Sequence, residues 1–389
     1  MANGGAMTAR ASDPSAVYFN PAGIMGLQGV QAMAGTTAIL LRGGTYNTPG
    51  TNTRYDQADN VTYPTYLYVT QRVNARWGWG VGINTPSGVK TEWGATFPGR
   101  FISLEASLAV VNANLNVAAA LGRGWSAALG FDYSSIDVKT LTRNIDLAPL
   151  GFPGSEGLSR LSGTGTDIGW NAAIRWEGKS GWRWGGTYRS ELNPEISGSV
   201  EFEDIPAPLQ PLFPSGGADA TLPLPAMAAT GIAYLWGAGW EAEADVVWTG
   251  WSAFEVLNID IENTTSFMGT PIVSDVHNEE DWINSFSFRF GAARHLSQVH
   301  TLRLGMYFDR TPVSADHLRP RLPDANRTSV QVGYGYGAAR GVFLDAAYQA
   351  IFFEDRTATG DPNDASNPVL PGTYGNFLSR IGLSVGWRF

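Results

Sequence analysis

Few residues in this 389-residue chain are of a type and spacing that could do covalent chemistry. There is no cysteine, and none of the four histidines, His277, His295, His300 and His317, stands with another at metal-ligand spacing on a strand. No Gly-x-Ser-x-Gly elbow and no phosphate loop occurs, so neither an enzyme nor a cofactor or metal is expected. What remains is ionic chemistry at alternate positions. Arg175, Arg183, Arg189, Arg289 and Arg303 share one face of their stretches, as do Asp132, Glu241, Glu243, Asp245 and Asp345. Most are expected to pair with one another, because an unpaired buried charge costs several kcal/mol. For Arg189 the ready partner is Glu191, two residues on along the same face.

The elements that must carry these charges alternate with period two. From Phe377 to Phe389 the chain reads apolar at Ile381, Leu383, Val385, Trp387 and Phe389, and small or polar at Arg380, Gly382, Ser384, Gly386 and Arg388. A strand of this pattern has one lipid-ready face and one that tolerates arginine, and its last aromatic is how outer-membrane barrels close and present themselves for assembly. Composition agrees. The 47 glycines exceed the usual share of about 7%, the 14 tryptophans and 14 tyrosines can furnish two aromatic girdles, and only 16% of residues are charged. A net charge of -9 argues against nucleic acid as a partner. No apolar run is long enough for a transmembrane helix, and a mean hydropathy of -0.11 fits strands with one polar face. Met1 to Arg10 has no secretory signal, so an exported barrel implies a processed or truncated chain.

Fourteen such segments fall near 30–42, 61–73, 77–92, 103–121, 124–143, 161–177, 182–203, 219–236, 239–260, 281–295, 300–312, 327–338, 341–358 and 376–389. Bacterial barrels need an even number. Short connections, 74–76, 122–123, 178–181, 237–238, 296–299 and 339–340, alternate with long ones such as 43–60, 144–160, 204–218, 261–280 and 359–375. Short turns belong to the periplasmic side and long loops to the outside. A soluble propeller would need a repeat of about 40 to 50 residues, and none is present. The expected fold is all-β: a 14-stranded antiparallel transmembrane β-barrel, residues 30–389, with residues 1–29 as a hatch inside a lumen too wide for wall side chains to fill.

Three further features are local. In the third segment Trp79, Val81 and Ile83 face lipid, which leaves Gly78, Gly80 and Gly82 as an inward trough where a backbone can lie close. Asn84-Thr85-Pro86-Ser87-Gly88 follows. Pro86 has no N–H for its neighbour and Gly88 permits a bulge, so the strand should kink inward and open a gap, unless Pro86 simply begins a loop. Leu147–Pro153 and Ile205–Pro214 put Leu150, Phe152, Leu209, Leu212 and Phe213 in loops expected outside the cell, where apolar patches mark ligand capture or a lid packed on itself.

These residues also carry a resemblance. Asp13-Pro14-Ser15-Ala16-Val17-Tyr18-Phe19 leading to Asn20-Pro21-Ala22, then Gly78-Trp79-Gly80-Val81-Gly82-Ile83 with Thr91-Glu92-Trp93, Thr187-Tyr188-Arg189-Ser190-Glu191, Trp248-Thr249-Gly250-Trp251-Ser252 and Leu322-Pro323-Asp324-Ala325-Asn326-Arg327 occur in order. The chain resembles the FadL family of outer-membrane transporters for long-chain fatty acids and other hydrophobic compounds, which includes TodX-like aromatic hydrocarbon channels. The resemblance implies a hatch motif at Asn20, Pro21 and Ala22, a lateral opening at Asn84 to Gly88, surface capture by the apolar loops, and passive uptake of a fatty acid or a monoaromatic hydrocarbon. Arg189, within a family-like stretch, is the candidate carboxylate contact; a general porin is the rival. It implies a monomer in the outer membrane of a Gram-negative bacterium, among lipid and lipopolysaccharide, recognised by the barrel assembly machinery through Phe389. It also implies hatch residues ahead of Met1, which would be an internal methionine or a start placed too late.

Overall fold

Each segment pairs with its neighbours in a closed ring. The computed structural model describes residues 1–51, 53–338, 341–364 and 366–389. Its main sheet has 19 strand segments, and five pairs of consecutive segments are single strands broken once, which makes fourteen barrel strands. In order these are Val30–Leu41; Asn60–Thr62 with Thr65–Arg72; Trp77–Glu92; Glu105–Gly122; Trp125–Asp146; Glu156–Glu177; and Trp182–Arg189 with Glu195–Glu203. The rest are Gly216–Thr221 with Met227–Trp236; Trp240–Thr249 with Val256–Ile261; Val276–Glu279 with Ser285–His295; His300–Asp309; Arg327–Gly337; Val342–Phe353; and Phe377–Arg388. All pairings are antiparallel. The last strand closes on the first from Gln31 opposite Arg388 to Leu41 opposite Leu378, so no edge is left.

The alternation sorts as its period requires. Leu129, Phe131, Ile168, Trp170, Phe288 and Leu304 are exposed on the outer wall, whereas Thr70, Asn116, Ser126, Asp132 and Ser134 are buried inside. No described helix is long and apolar enough to cross a membrane. The crossing is made by strands whose apolar face looks outward.

Several expected strands are interrupted. The seventh, eighth and ninth, read as continuous over 182–203, 219–236 and 239–260, break at residues 190–194, 222–226 and 250–255, and the tenth begins at Val276 and breaks at 280–284. Pro194, Pro223 and Pro225 cannot donate to a ladder, and a single 3-10 turn, Trp251–Ala253, replaces it in the ninth. The breaks lie at matching heights, joined by a Leu192–Leu224 bridge and by Gly250 N–H donating to Ala226 O. At the long-loop end, the strand expected over 341–358 stops at Phe353. Arg356–Ala358 instead joins Gly372–Gly375, Thr45–Asn47 and Arg54–Asp56 in a separate four-stranded sheet. The strand expected over 300–312 ends at Asp309. The expected turn at 339–340 lies outside the described residues.

The loops therefore have a core of their own. Tyr46, Trp93, Phe97, Leu318, Val369 and Tyr374 are buried together, with the rings of Trp93 and Phe97 stacked at 4.2 Å. Leu129 lies on the outer face, four residues into the fifth strand from its short-turn end. Leu129→Arg is expected to cost about 2–4 kcal/mol in a folding titration into lipid vesicles; a loss under about 1 kcal/mol would place that face outside the hydrocarbon layer.

Candidate functional site

Residues 1–29 pack against inward-facing positions around the ring, and glycine decides how closely. A Cβ on Gly305 would lie 2.0 Å from the nitrogen of Gly4, one on Gly185 2.1 Å from Thr8 O, and one on Gly291 2.6 Å from Asn3 O. No side chain fits there. The trough at Gly78, Gly80 and Gly82 is filled differently from expectation. Ile24 and Val17 side chains, not hatch backbone, occupy Gly78 and Gly80, while Tyr68 and Asn114 of the wall cover Gly82. A strand without side chains accepts either.

The ninth strand grips the segment by charge. Of its inward acids, Glu241 pairs with the wall arginine Arg183 at 4.0 Å, while Glu243 and Asp245 turn to the segment. Met7 and Thr8 N–H groups both donate to Asp245 Oδ2 at 3.0 Å, Ala9 N–H donates to Glu243 Oε1 at 2.6 Å, and Arg10 donates to Glu243 Oε2 at 3.0 Å and Glu241 Oε1 at 2.8 Å. Arg10, Glu243 and Asp245 are almost wholly buried. Hydrogen bonds to charged groups contribute about 1.5–3 kcal/mol each. Arg10 was not legible as a partner, although three acids on one inward face demand donors.

The Asn20-Pro21-Ala22 motif is a corner. Asn20 is fully buried; its Oδ1 accepts from Ala22 N–H at 3.1 Å and caps the 3-10 turn Pro21–Gly26, while its Nδ2 donates to Thr8 O at 2.6 Å and to Ile174 O of the wall at 3.2 Å. Pro21 opens the turn where no N–H is needed. Ser126 Oγ donates to Ala22 O, and Asn114 and Asn116 donate to Val17 O. One asparagine thus ties two parts of the segment to the sixth strand.

Arg189 is engaged. Its guanidinium pairs with Asp132 on the fifth strand, not with Glu191, and stacks over the Tyr18 ring at 4.8 Å. Asn171, opposite Arg189 on the sixth strand, donates to the same Asp132 carboxylate, whereas Glu191 falls in the break after Arg189. Arg303 pairs with Asp345 at 2.5 Å, as alternation suggested.

The third strand is continuous from Trp77 to Glu92, but its partners change at Asn84. Pairing to the second strand stops at Tyr66 opposite Asn84 and resumes only at Gln57 opposite Trp93, where Ala58 N–H donates to Glu92 O. Toward the fourth strand the register slips between Asn84 and Ser87, a bulge at Thr85-Pro86. Pro64, which breaks the second strand, faces the same unpaired stretch and was overlooked in the sequence. Residues 59–65 and 85–91 thus run without a ladder between them.

Near the loops the lumen holds a cavity of about 430 Å³, lined by Leu161, Val200, Phe202, Ile259, Ile261 and Val276 among others. The two apolar loops meet over it. Leu209 and Phe213 are buried with Leu147 and Val273, and Leu150, Phe152 and Leu212 pack partly exposed against them. Two guanidinium groups reach the cavity. Arg321 is bound to Glu280. Arg143, opposite Ser159 at the top of the fifth strand, has an exposed side chain with no hydrogen bond or ion pair among the described residues. It was not singled out in the sequence because the bulge after Val138 reverses which side of the fifth strand faces inward.

A closed fourteen-stranded wall with an apolar outer face, residues 1–29 packed inside it and a greasy chamber beneath its loops defines an outer-membrane transport barrel. The chain belongs to the family of outer membrane transport proteins OMPP1/FadL/TodX, whose sequence model matches residues 1–389. It is 26% identical over 313 residues to a long-chain fatty acid transport protein of Salmonella typhi, covering 74% of this chain and 70% of that one. With the corresponding Escherichia coli O6:H1 protein it shares 24% over 306 residues, covering 72% and 67%. In fold it is similar to a Pseudomonas aeruginosa FadL homologue, with TM-score 0.84, 20% identity and 99% and 96% of the two chains covered. It is similar also to the P. putida toluene transporter TodX, with TM-score 0.77, 14% identity and 100% and 97% covered.

The grip of the ninth strand can be tested directly. Glu243→Gln with Asp245→Asn keeps shape but removes the charges that hold residues 7–10, and is expected to raise ion conductance in planar bilayers above the low level of the intact protein. Deleting residues 1–29 should raise it further. Large stable channels from the intact protein would show that the segment does not close the lumen.

Proposed function

We propose that this protein takes up hydrophobic compounds passively across the outer membrane, with long-chain fatty acids as the principal cargo, and acts as a monomer among lipid and lipopolysaccharide. The observation that carries the choice of cargo is Arg143. A cavity walled by leucine, valine, isoleucine and phenylalanine accepts an acyl chain, and an unpaired guanidinium at its side answers a carboxylate. A monoaromatic hydrocarbon, the cargo in the name of the toluene transporter, would leave that charge unanswered. The relatives named for long-chain fatty acid transport support the same reading.

Capture begins at the loops bearing Leu150, Phe152, Leu209, Leu212 and Phe213, and residues 1–29 act as the hatch that bars direct passage. Release is sideways, through the unladdered stretch at Asn84, Thr85, Pro86, Ser87 and Gly88, into the bilayer. Exposing an apolar chain to water costs about 0.8 kcal/mol per CH₂, so a sixteen-carbon chain would lose on the order of 10 kcal/mol by leaving into the periplasm. Exit into lipid avoids that loss.

Two experiments bear on this. Arg143→Leu is expected to weaken palmitate binding by about tenfold, equivalent to about 1.4 kcal/mol, and to leave toluene binding unchanged; equal palmitate affinity would remove Arg143 from the site. Pro86→Val with Gly88→Ala should let the ladder close, so that uptake by cells stops while palmitate still binds the purified protein. Normal uptake with a structurally confirmed closed wall would refute lateral release.

A further inference from the structure

We propose that Glu279, Asp281 and His317 form a binding site for a divalent transition-metal ion of the zinc type, on the loops above the cavity. One ligand atom from each lies within 4.8 Å of the others. The residues come from two elements. Glu279 and Asp281 leave the upper segment of the tenth strand, where Glu280 and Asp281 N–H groups both donate to Glu255 O, at 2.7 and 3.0 Å. His317 stands in the loop before the twelfth strand, beside the buried Leu318.

The imidazole is oriented for the task. His317 Nδ1 lies 2.9 Å from Ser314 Oγ and 3.3 Å from Asp316 Oδ1, and the Ser314 hydroxyl donates to the same carboxylate. A proton on Nδ1 shared with Asp316 leaves the lone pair on Nε2, the arrangement of metal-bound histidines with a carboxylate behind them. Nε2 is 3.6 Å from Asp281 Oδ2. That is long for a hydrogen bond, yet close to the roughly 3.4 Å between two donors that each sit about 2.0–2.1 Å from a shared tetrahedral ion.

Charge points the same way. Glu280, between the two acidic ligands, takes both nearby guanidinium groups, Arg319 and Arg321. The Glu279 and Asp281 carboxylates are left without arginine partners among the described residues, so three carboxylates, with Asp316, surround one imidazole. Nitrogen among the donors favours zinc over calcium or magnesium, which prefer an all-oxygen shell. Such an ion would bind the tenth strand to the loop carrying Arg319 and Arg321, the second of which lines the cavity. Occupancy would stiffen the lid, and this holds whatever the cavity carries.

The test uses the full chain in detergent, stripped with EDTA. Calorimetry and thermal unfolding with ZnCl₂ are expected to show one zinc bound per chain and a raised Tm, with CaCl₂ much weaker. Asp281→Asn and His317→Arg, the latter filling the place of the imidazole with a group unable to ligate, should each reduce zinc affinity by about tenfold or more. Glu279→Gln, which removes an exposed charge with no protein hydrogen bond, should do the same without disturbing the fold. Absence of zinc binding, equal affinity in all three variants, or tighter binding of calcium would overturn the assignment.

Discussion

The approach of a foreign backbone to the barrel wall governs the whole interior. Fourteen strands enclose more space than their own side chains can fill, so the chain must supply a filling and the wall must give it room. It does so by having no side chain at Gly185, Gly291 and Gly305, where atoms of residues 3–8 come closer than any Cβ allows. A backbone brought that close brings its polar groups with it, and they must be satisfied without water. The acids of the ninth strand answer its N–H groups, and the amides of Asn20, Asn114 and Asn116 answer the Thr8 and Val17 carbonyls. Filling and satisfaction are thus one design, and neither works alone.

The wall itself is uneven in a way that follows from proline. Pro64 and Pro86 face each other across the stretch where the second and third strands lose their ladder, while Pro194, Pro223 and Pro225 break the opposite side at one height. On the broken side the neighbouring loops re-cover the gaps: Trp251, Phe254 and Trp282 pack edge to face at about the level of the breaks. Among the described residues no comparable aromatic pair bridges 59–65 and 85–91. The same residue type therefore leaves a patched wall on one side and an unladdered one on the other.

The barrel was legible because its signal is periodic and repeated: strand number, facing and closure depend on alternation at Phe131, Trp170, Phe288 or Leu304, which no tertiary contact overrides. The turn at Asn20-Pro21 was legible through its turn-formers, and the bulge at Pro86 through its missing N–H. What was hidden depends on distance in sequence. Arg189 reads as a neighbour of Glu191, but a break in the strand turns it to Asp132. Arg143 reads as outward until the bulge after Val138 moves it inward. Arg10 and the ninth-strand acids are more than two hundred residues apart, and so are the ends of the loop sheet that joins Thr45–Asn47 to Gly372–Gly375. No local pattern announces such meetings.

The grip on residues 1–29 is graded around the ring, and the gradient has a direction. On the ninth strand it is ionic and buried, through Arg10, Glu241, Glu243 and Asp245. On the fourth and fifth it consists of neutral amide and hydroxyl bonds to Val17 O and Ala22 O. On the third strand, beside the unladdered stretch, Val17 and Ile24 meet Gly78 and Gly80 by van der Waals contact. Breaking a buried ion pair costs several kcal/mol, breaking a neutral hydrogen bond about one, and sliding an isoleucine along a glycine trough far less. The segment is therefore held most firmly at the ninth strand and least firmly beside the third.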